Sequence, residues 1–549
     1  MKEEFWKGKE IELKIRDMTK EGQGVGKADG FTIFVEGAIL GDQVIAKIED
    51  IKKNYALGKI VKVISPSEYR TDSKCIYDMD CDGCQFHRLN YNKQLELKTS
   101  IVKNALERIG KIQGAVIHPT IGMKFPYRYR NKGEFKVKSV GGKSSVGYFK
   151  RRSHDIINIE RCIIQDELSD KIMNSIRDIL KNEDTSELKN ITVRTTKHKE
   201  AMIILTTTRK GFSFKEKLIK RLSNIKEVKS IYQNINPRAD SEMMGSRNIK
   251  LYGQDTITDC IGGFRYSISP NSFFQVNREQ AEVLYEKAVE YLDLKKDEVV
   301  VDLYCGIGTI SLYLAQKAGK VYGVEAVEEA VKNGQENAVL NRIENVEFIQ
   351  GLSEDVFPKL LKRGIKADKL VVDPPRRGCE KEVLETIAQM KPKRIVYISC
   401  NPATLARDLR YLEERGYKTL EVQPVDLFCW TGHVETVVSL SHKKADTHIN
   451  INVEFGDEEG QIPIDEIARK AEEYRPSERV TYKMMQEYIE SKYNFKVHTA
   501  YIAEVKRDLG LPMYDAPNAV EELKQERKHP TPEKVEAIKD ALKHFGVCQ

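Results

Sequence analysis

The stretch VVVDLYCGIGTISLYLA, Val299–Ala315, decides the fold. An apolar run of strand length ends at Asp302 and Leu303, glycines follow at 306 and 308, and a helical pattern begins after them. That is strand, glycine loop, helix. The glycines let the backbone turn tightly and come close to a ligand. The same rhythm runs on from residue 278, with KVYGVEA (320–326), NVEFIQG (345–351), DKLVVDPP (368–375) and RIVYISC (394–400) as short apolar strands between helical patterns. Such alternation predicts a parallel sheet wrapped by helices, finishing near HVETVVSLSH (433–442).

A nicotinamide-type G-x-G-x-x-G would need glycine at 311, where the chain has Ser311. Asp302, four residues before the first glycine, suits a methyltransferase-type loop that holds a cationic, amino-acid-bearing cofactor. Glu325 ends the next strand, where a carboxylate can accept from both ribose hydroxyls. S-adenosyl-L-methionine is the ligand this pair predicts. Asp373, in VVDPPRRG, falls at the carboxyl end of a later strand, where open α/β sheets bind ligands.

Cys400 occupies the equivalent edge one strand further on, just before Asn401-Pro402 opens a helix. Unpaired N–H groups and the positive end of the helix dipole are expected to lower its thiol pKa. A methyl donor and a nucleophilic cysteine together point to C5 of a pyrimidine. That carbon is inert until a thiolate adds to C6, and a base must later remove the C5 proton so that the cysteine can leave. Glu435, a carboxylate inside a β-branched run, is the candidate base, with His433 as an alternative.

Residues 8–64 alternate like short strands, with turns at glycines 22, 24, 26 and 30, and suggest a small β-barrel closing at Ser65-Pro66. A helix is expected from Asn90 to Gly110, then a strand-rich region over 115–270 with a hairpin at Gly141-Gly142. The segment CIYDMDCDGCQFH (75–87) places Cys75, Cys81 and Cys84 within ten residues, and Cys162 is available as a fourth thiol. Zinc and an iron–sulfur cluster both take four thiolates; a C-x-x-C redox pair is the lesser alternative, for want of a thioredoxin-like βαβ context. KFPYRYRNKGEFKVK (124–138) interleaves Tyr127, Tyr129 and Phe135 with Arg128, Arg130, Lys132 and Lys136, a mixture suited to stacking on bases and contacting phosphates. Lys150, Arg151 and Arg152 add to it.

The 549 residues, 32% charged with a net charge of +7, permit a polyanionic partner without requiring one. The opening MKEEFWKGKE has no apolar signal core and no apolar run reaches membrane-spanning length, so a soluble cytoplasmic protein is expected. After residue 445 the composition shifts to an acidic, turn-rich stretch and then charged helices. There Ile502, Val505 and Leu509 share one face, Gly510 follows, and Lys506 and Arg507 point elsewhere, like a helix-turn-helix or a helical protein-contact domain. The expected domains are a barrel over 1–65, a central RNA-binding region over 66–270, a catalytic domain over 271–445 and a helical tail over 446–549.

Taken in order, PNSFFQVN (270–277), DLYCGIG (302–308), VVDPPRRG (371–378), SCNPATLARDL (399–409) and HVETVVSL (433–440) resemble the RNA uracil-C5 methyltransferases, over about residues 4–443. The resemblance implies an α/β protein: a class I Rossmann-like methyltransferase domain, an N-terminal TRAM-like barrel, a strand-rich central domain and a mainly helical tail. It implies Cys400 as nucleophile, Glu435 as proton acceptor, and S-adenosyl-L-methionine contacts at Gln275, Tyr304, Glu325 and Asp373. It also implies a [4Fe-4S] cluster on Cys75, Cys81, Cys84 and Cys162, as in the family's rRNA members. Structured RNA is the implied partner, 23S rRNA by analogy, with tRNA methylation or a non-catalytic ribosome-assembly role as alternatives; the oligomeric state stays open, with a monomer the default. Cytosine-C5 methylation fits less well, because its thiol sits in a Pro-Cys context and this chain has Ser399-Cys400-Asn401-Pro402. Two departures stand out: Cys429 and Trp430 in DLFCWTGHVE, where the family usually has proline-containing text, and Thr309, where some members have asparagine.

Overall fold

The computed structural model describes residues 5–140, 143–238, 243–442, 482–509 and 529–545; the Gly141-Gly142 turn and Gly510 lie outside them. The chain divides into two compact units, Met1–Ala445 and Asp446–Gln549.

The first unit begins with a closed barrel of β1 (Glu10–Met18), β2 (Gly24–Ala28), β3 (Phe31–Glu36), β4 (Gln43–Ile51) and β5 (Tyr55–Ser65), in the order β1-β2-β3-β5-β4. Alternation drives it: Leu13, Ile15, Ile33, Val35, Val44, Ala46 and Ile48 point into one apolar core while their neighbours face out. Helix α1 (Tyr91–Ala105) starts where the Asn90 side chain accepts from the Asn92 and Lys93 amides, and it continues as a π-helical turn to Gly110. After it comes the short strand β6 (Val116–Ile117).

A seven-stranded sheet follows, built from β7 (Lys132–Val140), β8 (Lys143–Phe149), β9 (Ile156–Asn158), β10 (Leu188–Thr195), β11 (Ala201–Thr207), β12 (Val228–Ile235) and β13 (Arg247–Gly253). Its order is β13-β12-β11-β10-β7-β8-β9. Helices α2 (Glu167–Leu180) and α3 (Lys215–Ser223) bury Ile172, Ile176, Leu218 and Leu222 in a core shared with Ile191, Val193, Ile203 and Leu205 of the sheet. A hairpin of β14 (Ile257–Ile261) and β15 (Phe264–Ile268) leads to helix α4 (Arg278–Leu292).

The last sheet of this unit has eight strands. It contains β16 (Val299–Leu303), β17 (Lys320–Glu325), β18 (Val346–Gln350), β19 (Lys369–Val372), β20 (Arg394–Ser399), β21 (Tyr417–Val425) and β22 (Glu435–His442), in the order β18-β17-β16-β19-β20-β22-β21-β6. Strands β16 to β20 are parallel and linked by α5 (Thr309–Ala315), α6 (Glu328–Leu340), α7 (Ser353–Lys362) and α8 (Lys381–Met390), while β22 runs antiparallel to β20. Helix α9 (Pro402–Glu413) follows β20. Strand order reverses at β16, with β17 on one side and β19 on the other, so a crevice opens between them at the carboxyl edge.

The second unit packs α10 (Tyr482–Tyr493), α11 (Thr499–Asp508) and α12 (Pro532–His544) around Met485, Ile489, Ile502, Val505, Ile538 and Leu542. Leu509 does not share that face. It sits past the end of α11, capping it, and is 42% exposed.

One buried ion pair crosses the first unit. Lys98 of α1 reaches Asp426, at the end of β21, with its Nζ 2.5 Å from Oδ1, and neither side chain has any exposure. Lys98 also donates to the Phe428 carbonyl, and the Tyr91 hydroxyl donates to the other Asp426 oxygen at 2.8 Å. Removing one partner leaves a buried charge unpaired, which is far more costly than losing an exposed pair. Asp426→Ala is expected to destabilise the protein by ~3–5 kcal/mol, and Lys98→Met combined with Asp426→Leu to recover much of that, as read from urea unfolding of full-length protein.

Candidate active site

The glycine loop between β16 and α5 is shaped by backbone geometry. Gly306 (φ 56°) and Gly308 (φ 80°) both take left-handed conformations, and a Cβ on Gly308 would lie 2.5 Å from the Phe348 ring. Tyr304 also adopts φ 66°, costly for a residue with a side chain, and its ring joins the apolar cluster of Leu303 and Val324. Glu325 is tied into the loop: one carboxylate oxygen accepts from the Gly306 amide at 3.0 Å and the other from Val327 at 2.9 Å. Ser311 stands where a dinucleotide loop would have its third glycine, and its hydroxyl donates to Asp302 Oδ2 at 2.6 Å.

Asp302 Oδ1 is buried with no hydrogen-bond partner, and burial raises this carboxyl to about 7, with Asp373 and Glu325 adding to the effect. An orphaned buried acceptor beside the glycine loop fits a ligand that brings a positive charge and donors. The amino group and sulfonium of S-adenosylmethionine meet that description. Gln275 approaches from another element. Its carbonyl accepts from Asn131 Nδ2, and its side chain meets the Tyr285 hydroxyl, which donates to Thr309 Oγ1 at 3.1 Å. Gln275, Thr309 and Asp373 thereby share one corner of the crevice.

Cys400 and Glu435 are brought together by strand pairing. β20 ends at Ser399, which pairs with Thr436 near the start of the antiparallel β22, so the residues just beyond, Cys400 and Glu435, face each other at the carboxyl edge. The helix after Cys400 is capped by Asn401, whose side chain accepts from Ala403 at 3.1 Å, with Pro402 in the first turn. The expected lowering of the thiol pKa is overturned. Burial, then the carboxyls of Glu435 and Asp373, push Cys400 up to about 11, and this outweighs the pull of Arg376 and the backbone. Glu435 is pushed to about 8 by burial and by Asp373, with Arg376 opposing, and Asp373 to about 7 by burial alone. Arg376 is thus a cation that acts on both Cys400 and Glu435. Its carbonyl accepts from Asn401 Nδ2 and Thr404 Oγ1, which fixes it at the start of α9. His433 sits at the rim with its imidazole below its ordinary value, through crowding and then Arg376, Lys98, Lys20 and Arg130. The sequence reading passed over Arg376, although its place in DPPRRG beside Asp373 was a usable signal.

The four cysteines expected to act together do meet. Cys75, Cys81, Cys84 and Cys162 line one cavity of about 250 Å³, with Asp78, His87, Arg130, Glu134 and Tyr148 among its other walls. Arg151 holds one wall by donating to the carbonyls of Cys81 (3.1 Å) and Cys84 (2.9 Å), and Asp170 accepts from the Cys162 amide. Burial raises all four thiols, and the other three cysteines push Cys84 further. Among the described residues no three His, Cys, Asp or Glu side chains converge closely enough to hold a single metal ion. A four-iron cube takes each thiolate on a separate iron, so its ligands stand wider apart around a cavity, and this donor set fits that group.

The basic-aromatic stretch turns largely inward. Tyr129 and Phe135 are buried, the Tyr129 hydroxyl donates to the Cys429 carbonyl, and Arg128 pairs with Asp170. Lys132 pairs with Glu134, and Arg152 with Glu36 of the barrel. Tyr127, Arg130 and Lys136 keep partial exposure, and Lys124 and Phe125 are exposed, so the stretch divides between an interior network near the cysteines and an open face.

Comparison with known proteins agrees with this geometry. The TRAM domain family matches residues 5–61, over the closed barrel, and the tRNA (uracil-5-)-methyltransferase family matches residues 90–443. An RNA methyltransferase of Clostridium tetani is 48% identical over 441 residues, 78% of this chain and 96% of its own. One from Caldanaerobacter subterraneus is 46% identical over 441 residues, 78% of this chain and 97% of its own. Among solved structures, the Pyrococcus abyssi tRNA (uracil-54, C5)-methyltransferase in complex with S-adenosyl-L-homocysteine is similar at 26% identity with a TM-score of 0.62, covering 78% of this chain and 99% of that one. The chain therefore belongs to the S-adenosylmethionine-dependent RNA uracil-5-methyltransferase family.

Proposed function

We propose that this enzyme methylates C5 of a uridine in 23S rRNA through a covalent bond between Cys400 and C6 of the base, with Glu435 as the proton acceptor. The observation that carries the reading is the facing of Cys400 and Glu435 across β20 and β22, next to the crevice of Asp302, Glu325, Asp373 and Gln275. When bound, S-adenosylmethionine supplies a methyl group on a sulfonium cation. Cys400, once its thiol proton has been lost, attacks C6 as the thiolate, and the electron pair of the C5–C6 double bond moves onto C5 and the neighbouring carbonyl. C5 would then take the methyl group as its bond to the sulfonium sulfur breaks, leaving a neutral thioether. Glu435 removes the proton left on C5, the electrons re-form the double bond, and sulfur departs. The target base lies in a stack in structured RNA, so it is flipped out to reach this edge. A second reading, methylation of tRNA, draws support from the likeness to the archaeal tRNA enzyme. The rRNA reading rests on the family analogy of a TRAM barrel joined to a four-cysteine pocket.

The remaining parts follow from the same reading. Residues 1–65, 66–270 and 271–445 serve as RNA-binding barrel, central RNA-binding domain and catalytic domain, in a monomer working in the cytoplasm. No helix among the described residues is long and apolar enough to cross a membrane. Cys75, Cys81, Cys84 and Cys162 hold a [4Fe-4S] cluster that ties residue 84 to residue 162 and takes no part in methyl transfer.

Three tests apply. Cys400→Ala is expected to abolish transfer while S-adenosylmethionine still binds, and Glu435→Gln to leave methylated RNA bonded to the enzyme; wild-type turnover or free product would exclude these roles. Mapping 5-methyluridine in 23S rRNA and tRNA from a deletion strain distinguishes the two substrates.

The second test concerns protons. Burial keeps Asp302 and Asp373 partly protonated near neutrality, both having been pushed up to about 7. A bound cation favours their charged forms, so cofactor binding near pH 7 is expected to release protons, seen as a calorimetric heat that depends on buffer ionisation enthalpy. Asp373→Asn should reduce the release. Glu435 must be ionised to accept a proton, so adduct breakdown should speed up as pH rises through about 8.

Third, protein purified without air is expected to be brown with about four irons per chain. Stoichiometric zinc would contradict the cluster.

A further inference from the structure

Residues 426–434 join β21 to β22 and so deliver Glu435. Besides its own turn bonds at Phe428 and Thr431 and the grip of Lys98, this connection is held by the cysteine segment. The Trp430 carbonyl accepts from the amides of Gln85 (3.0 Å) and Phe86 (2.9 Å), the two residues directly after Cys84. Its indole stacks on Tyr127 (centroids 5.1 Å apart, 27°) and on His87 (5.8 Å, 24°), and its Nε1–H donates to the Pro126 carbonyl at 2.6 Å. Trp430 holds φ 69°, a left-handed conformation that a tryptophan adopts only when its surroundings impose it. The other side is equally tight: a Cβ on Gly432 would lie 1.9 Å from the Lys20 carbonyl. Residues 75–87, in contrast, contain no helix or strand, only one isolated bridge at Cys81, and are held by side chains: Arg151 donates to the Cys81 and Cys84 carbonyls and Gln94 to the Phe86 carbonyl.

We propose that Trp430 is a positioning residue through which the filled cysteine pocket sets Glu435 in place, so that the cluster conditions the breakdown of the covalent adduct without taking part in it. The inference rests on the roles proposed above for Glu435 and the four cysteines. An ordered Cys84–Phe86 backbone aims two N–H groups at the Trp430 carbonyl, and the strained turn at Trp430 then directs the chain into β22. Loss of the cluster frees those donors, relaxes the turn and moves the carboxylate.

The chain has two tryptophans, Trp6 and Trp430, so W6F leaves Trp430 as the sole indole reporter. Anaerobic iron removal from W6F protein is expected to shift its emission to longer wavelength and to raise hydrogen exchange at residues 85–86 and 426–435, with the seven-stranded sheet unchanged; rebuilding the cluster should reverse both. In cluster-loaded protein, W430A is expected to keep the RNA KM and S-adenosylmethionine affinity within about twofold. Its kcat should fall roughly 100-fold, the scale of a misplaced catalytic group, and methylated adduct should accumulate as in E435Q. W430F, which keeps the stack but not the Nε1 bond, should fall between and serves alone if W430A does not fold. Unchanged emission and exchange on iron removal, or wild-type kcat in both variants, would overturn the proposal. Adduct absent from E435Q would instead refute the catalytic roles, while the emission and exchange results still decide the coupling.

Discussion

One reversed strand organises this enzyme. Had β22 run parallel to β20, as β16, β17 and β19 run to one another, its first residue would sit at the far edge of the sheet. Running antiparallel, it returns to the carboxyl edge and sets Glu435 opposite Cys400. Backbone hydrogen bonds fix that opposition, so it does not depend on long side chains finding each other. The eight-stranded sheet thus gathers the groups from the ends of β16, β17, β19 and β20 and the start of β22 along one rim.

Concentrating acids along a buried rim has an electrostatic cost that shapes the chemistry. Asp302, Asp373 and Glu435 lie in a medium that penalises charge, and the Asp373 carboxyl raises the other two further. The resting site therefore holds more protons than free carboxyls would, and its thiol is protonated too. Cations oppose this balance, as Arg376 does at Cys400 and Glu435 without overcoming it.

Much of the architecture was legible in the sequence because it rests on local signals. The strand–glycine–helix repeats gave the parallel sheet, alternation gave the barrel, and Asn90, Asn401 and Pro402 marked helix starts. What stayed hidden was whatever depends on distant partners. Lys98 looked like any helix lysine, yet it is wholly buried against Asp426, more than three hundred residues away. Tyr129 and Arg128 read as part of an RNA-facing stripe, because their partners, the Cys429 carbonyl and Asp170, lie far along the chain. The expected activation of Cys400 by its helix failed for a related reason: the helix is a local feature, whereas the burial and the facing carboxyls come from the tertiary fold.

The turn between β1 and β2 shows how closely the barrel is joined to the rest of its unit. Gly22 leaves no room for a methyl group against the Gln85 carbonyl, as Gly432 leaves none against Lys20, so this one turn is wedged between the cysteine segment and the approach to Glu435. The barrel is therefore seated on the rest of its unit and not a detachable accessory. Swapping in a barrel from another protein would need this turn carried over unaltered. The opposite turn, at Asp29-Gly30, has open space around its glycine and is where inserted sequence or a fused tag would be absorbed without reaching the catalytic rim.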